Sequence, residues 1–191
     1  MSTHYILNFK QKERFLRETG NDILYAYTDE FNCGGFALNQ FEWYCPYDYE
    51  YRAEAIDLRE QYDDGYISRY DELCDLLADI FVRYMEHDIA CREIVSEADL
   101  EDDEYLVAFK ASYDDFHYAR KFSDGKWYHK MGGSKIEEVT EEEVYSHSWW
   151  EDLPCGYDGE LRLLAVRKTN FKELRIANNR RRHRGGIKCF G

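Results

Sequence analysis

The residues best suited to chemistry are Cys33, in Asn32-Cys33-Gly34-Gly35-Phe36-Ala37-Leu38, and two histidines twelve positions apart, His117 and His129. A cysteine nucleophile acts as its thiolate. It needs positive potential, which the start of a helix supplies, and a base to take its proton. A helix opening at Gly34 or Gly35 puts Cys33 where its thiolate is favoured. Two glycines beside it leave room for a carbonyl group to approach the sulfur and the backbone N–H donors of an oxyanion hole. Asn32, Gly34 and Gly35 are therefore the expected oxyanion and substrate-binding residues, with Tyr27 and Trp127 as further candidates for the substrate side.

His117 stands in Asp115-Phe116-His117-Tyr118-Ala119-Arg120-Lys121-Phe122, and His129 in Trp127-Tyr128-His129-Lys130. Ser123-Asp124-Gly125 between them reads as a tight hairpin turn. The turn makes 117 and 129 rough cross-strand neighbours with side chains on one face. One imidazole can then orient the other, fixing which nitrogen carries the proton. Cys33, His117 and His129 are the expected catalytic residues, in the roles of nucleophile, base and orienting group.

A helix-seated cysteine, a strand over Tyr105 to Phe109, a histidine on the next strand, a glycine turn and a second histidine twelve residues on resemble the papain-like fold. The likeness is to the NlpC/P60 branch of cysteine peptidases and amidases in particular. It implies an α+β domain whose nucleophile begins a helix packed on a small antiparallel sheet. It also implies thiol-dependent hydrolysis of, or acyl transfer from, a peptide, amide or ester bond. The stretch from Trp127 to Gly133 is also similar to small bacterial and phage proteins.

The elements that must position these residues follow the same division. A helix is expected over 5–18 and an extended segment over 23–27. Phe36, Ala37, Leu38 and Phe41 suit a helix that Pro46 stops. Leu73, Leu76, Leu77, Ile80, Phe81 and Tyr84 recur at helical spacing and read as a core stripe. After Glu104 the period changes to that of strands, over 105–109, 116–122, 126–130 and 161–167. Thr140-Glu141-Glu142-Glu143 is a capping box opening a helix over 141–147. The expected organisation is one domain, 1–178, with a helical insertion at about 46–95 and a basic tail at 179–191.

Composition narrows the function further. The chain has 191 residues and a formal charge of −14, with 44% hydrophobic and 17% aromatic residues. That is a globular chain with enough length for a single core. From Arg162 onward there are ten Lys/Arg and one acid, Glu173, a net +9 that leaves −23 on residues 1–161. The acidic body repels nucleic acid and anionic membranes, so nucleic-acid binding is expected only through the basic tail. The alternative function is a non-catalytic acidic interaction or inhibitor protein of the phage or mobile-element type that binds a host protein. Ser96 to Glu104 carries six acids without calcium-loop spacing and reads as a solvated loop. Six cysteines without close pairs read as free thiols of a cytoplasmic protein, and no metal site or cofactor is expected. No signal segment or membrane span is visible.

Overall fold

A computed structural model of the chain describes residues 31–38, 43–44, 49–122, 125–134 and 136–168. The expected helix at 5–18, the extended segment at 23–27, Tyr27 and the basic tail at 179–191 lie outside the described residues.

Helices come first: α1, Cys33–Ala37; α2, Tyr49–Asp63; and α3, Tyr70–Asp88. Six strands follow among the described residues: β1, Cys91–Ile94; β2, Glu104–Ala111; β3, Phe116–Lys121; β4, Trp127–Lys130; β5, Ile136–Val139; and β6, Arg162–Arg167. Two five-residue helices, α4 (Glu141–Tyr145) and α5 (His147–Glu151), lie between β5 and β6. The strands form one antiparallel sheet in the order β1-β6-β2-β3-β4-β5. The layout is α+β.

The sheet separates two cores because successive side chains on a strand point to opposite faces. On one face Val107, Phe109, Phe116, Tyr118 and Leu164 pack with Leu73, Leu77, Phe81 and Met85 of α3 and with Cys33, Ala37 and Leu38. The expected helical stripe is therefore the wall of the main core. On the other face Leu106, Ala108, Ala119, Trp127 and Ala165 pack with Val144, Trp150 and Tyr157. All eight residues of β2 are buried, the mark of a central strand covered on both sides.

Several boundaries differ from expectation. The helix of the cysteine is short and begins at Cys33 itself, because Asn32 is its N-cap. The expected helix over 141–147 becomes two. The Thr140/Glu143 capping box starts α4, and Ser146 ends α4 while its hydroxyl accepts from Trp149 N–H to start α5. The acidic loop contains a turn of 3₁₀ helix, Glu97–Asp99, capped reciprocally by Ser96 and Asp99. Among the described residues no helix is long and apolar enough to cross a membrane.

Candidate active site

The two histidines meet. His117 Nε2 lies 3.0 Å from His129 Nδ1. The register pairs His129 with Ala119, two residues along from His117, so the rings meet on a diagonal and on one face. The pair is sealed by aromatic groups that the sequence did not single out as part of the site. Trp149 lies 5.1 Å from the His129 ring, Trp150 5.9 Å from His117, and Tyr157 5.6 Å from His117 and tilted 30° to it. His117 is 1% exposed. Burial, then the neighbouring His129, holds its imidazole well below the ordinary histidine range. Burial lowers His129 too, against the opposing pull of Glu137 and Glu143. The pair is neutral near pH 7, and one N–H is shared along the Nε2···Nδ1 line.

Cys33 docks against the backbone on either side of His117. Its thiol donates to Phe116 O at 3.5 Å. The place is open for a reason of sheet geometry. Asp115 O accepts from Ser112 N–H on the β2 side, so alternation turns the Phe116 carbonyl toward β4. The β3–β4 ladder begins only at Ala119↔His129, and the sulfur occupies the edge that β4 leaves. The side chains divide differently. Phe116 and Tyr118 face the core that holds Cys33, so the His117 side chain projects to the other face. The expected thiol–imidazole hydrogen bond is thus not formed; the proton goes to a backbone carbonyl, because the sulfur lies at the strand edge while the ring extends beyond it.

The thiol is in its protonated state. Burial raises it first and the Asp115 carboxylate second; the Gly34 and Tyr118 N–H groups and Lys130 oppose this without reversing it. Asp115 is held in place by three donors: Phe116 N–H to Oδ1 at 2.8 Å, and Tyr157 O–H and Cys155 S–H to Oδ2 at 2.9 and 3.3 Å.

The residues expected to form the oxyanion hole have other duties. Asn32 Oδ1 accepts from both Gly35 N–H and Tyr44 N–H at 3.0 Å, and its Nδ2 donates to Tyr44 O at 2.8 Å. Asn32 therefore clamps the cysteine turn, and the Gly35 N–H is taken. A Cβ on Gly34 would lie 2.8 Å from Tyr44 Cδ1 and 3.2 Å from Tyr118 Cε2, so this glycine permits close packing rather than substrate entry. Trp127 is 1% exposed in the second core, which removes it from the substrate side.

Lys110 completes the polar row. It pairs with His117 across β2 and β3, on the same face, and is 2% exposed. Its Nζ lies 3.1 Å from His147 Nδ1 and 3.5 Å from Tyr157 O, and burial lowers its ammonium from the ordinary lysine value. A lysine inside an apolar strand run was the available signal for it. Cys33, Cys74, Cys91 and Cys155 are free.

Comparison with known protein families, curated proteins and solved structures finds no match to this chain.

Proposed function

We propose that this chain is a thiol-dependent hydrolase or acyl transferase acting on a peptide, amide or ester carbonyl, on a papain-like scaffold of the NlpC/P60 kind. The observation that carries the reading is the His117 Nε2···His129 Nδ1 contact beside the strand edge where the Cys33 sulfur is docked. With Nε2 engaged, the ring nitrogen left for a thiol is Nδ1, the one nearer its own backbone. That backbone is the segment against which the sulfur sits.

Opening of the cysteine turn admits the substrate and lets the thiol swing from Phe116 O around the strand edge to the face that carries the His117 ring, which begins the reaction. The sulfur attacks the carbonyl carbon as its proton passes to His117 Nδ1, and His129 accepts the Nε2–H and steadies the imidazolium. The Cys33 N–H, at the start of α1, is assigned to the oxyanion. The tetrahedral intermediate collapses as Nδ1–H protonates the leaving amine or alcohol, leaving a Cys33 thioester. Water or an acceptor amine, deprotonated by His117, resolves it and returns the thiol. A neutral resting pair suits this general-base route, since the thiolate forms only as the carbonyl is attacked.

The sealed, protonated thiol favours a second reading, an acidic interaction protein that binds a basic surface of a host factor. p-Nitrophenyl acetate separates the two. The hydrolase reading predicts prompt release of one p-nitrophenolate per chain, an acetyl group on the Cys33 peptide by mass spectrometry, and loss of both in Cys33→Ala. Acetylation confined to other cysteines, or a burst unchanged in Cys33→Ala, overturns the thiol reading.

A further inference from the structure

On the outer side of the short helix that roofs the two histidines, a second cluster is assembled. His147 and Glu151 are one helical turn apart on α5, and Asp158 reaches them from the following loop. His147 Nε2 lies 3.0 Å from Asp158 Oδ1 and 3.4 Å from Glu151 Oε1. The three ligand atoms all lie within 4.8 Å of one another. We propose that His147, Glu151 and Asp158 bind one divalent transition-metal ion of the zinc class, which ties α5 to the Asp158 loop.

The distances have the size that coordination requires. With ligand bonds of about 2.1 Å and angles between octahedral and tetrahedral, neighbouring ligand atoms stand about 3.0–3.4 Å apart. One imidazole nitrogen and two carboxylate oxygens suit zinc, cobalt or manganese better than calcium or copper(I). The surrounding surface is electrostatically compatible with a cation. His147 and Asp158 open onto a cleft of about 890 Å³ whose walls carry Asp71, Glu72, Asp75, Asp158 and Glu160 against Arg69 and Lys110. Such a cleft concentrates cations.

The far side of the ring has a consequence for binding. A metal on Nε2 makes Nδ1–H a donor, so Lys110, 3.1 Å away, accepts that hydrogen as an amine or moves wholly to Tyr157 O, which it already reaches at 3.5 Å. The site is also tied to the histidine pair. α5 carries Trp149 and Trp150, which pack on His129 and His117, and Tyr157 adjoins Asp158. The ion would hold that roof closed without touching a reacting group. The inference stands whether or not Cys33 is a nucleophile.

Cobalt(II) titration of the chelator-treated full chain tests it. Expected are visible ligand-field bands saturating at one ion per chain, without the near-ultraviolet thiolate band. His147→Gln and Asp158→Asn should each weaken binding about tenfold or more. The His147 side chain is exposed and that of Asp158 half-buried, so neither substitution opens the core, and exposed Glu151→Gln gives a third variant. A thiolate band at stoichiometric cobalt, equal affinity in all three variants, or no saturable binding overturns the site.

Discussion

Acid should unfold this protein in a way that His117 largely governs. The imidazole is 1% exposed, and burial first, then His129, holds it well below its ordinary value. In the unfolded chain it titrates near about 6.5. As pH falls below that value the unfolded state gains a proton that the folded state refuses, so the stability present above about pH 6.5 is lost on acidification. The loss approaches at most about 1.4 kcal/mol per pH unit for one such group, an upper limit of about 2 kcal/mol by pH 5. His129 adds to it in the same direction, tempered by Glu137 and Glu143. Urea unfolding followed by tryptophan fluorescence, at pH 7 and pH 5, measures this in the parent chain and in His117→Gln. The variant is less stable at pH 7, but its further loss on acidification should be smaller, by up to about 2 kcal/mol. Carboxylates shared by both chains cancel in that difference. Equal losses, or a greater loss in the variant, would refute the neutral buried pair.

Asp115→Asn should shift the pH midpoint of Cys33 alkylation by iodoacetamide downward, read by mass mapping with Cys74 as the internal reference. The carboxylate is the second-largest influence raising that thiol, and asparagine keeps an oxygen for Phe116 N–H; an unchanged or raised midpoint speaks against this electrostatic role. Gly34→Ala should cost about 1–3 kcal/mol in urea unfolding, since its Cβ would meet the Tyr44 and Tyr118 rings at 2.8 and 3.2 Å. A neutral substitution there would mean that the cysteine turn is less tightly packed on β3.

Local patterns exposed part of this architecture and no more. The α3 stripe is readable because a 3.6-residue period marks one helix face: Leu73, Leu77, Ile80, Phe81 and Tyr84 are buried and Leu76 is half-buried. The β3–β4 hairpin was readable from its turn, and the histidine pairing followed. β1 and β5, each four residues long, were too short to show a period. The insertion of β6 between β1 and β2 is a long-range pairing with no local mark. Trp149 and Trp150 pack on the two histidines, a contact between distant segments that leaves no local mark in the sequence. The short interval from Asn32 to Gly35 was read for substrate access. Capping and close packing take those same groups, because an N-cap side chain and a Cβ-free contact leave no trace distinct from a catalytic turn. The direction of the Cys33 thiol depends on where β4 leaves β3, which register alone decides.

In the proposed reaction His117 serves Cys33 across the strand edge. The most direct measurement is the rate of Cys33 acetylation by p-nitrophenyl acetate at neutral pH, compared between the parent chain and His117→Gln. General-base assistance predicts a fall of about a hundredfold or more on losing the imidazole. An undiminished rate of Cys33 acetylation in His117→Gln would contradict the claim.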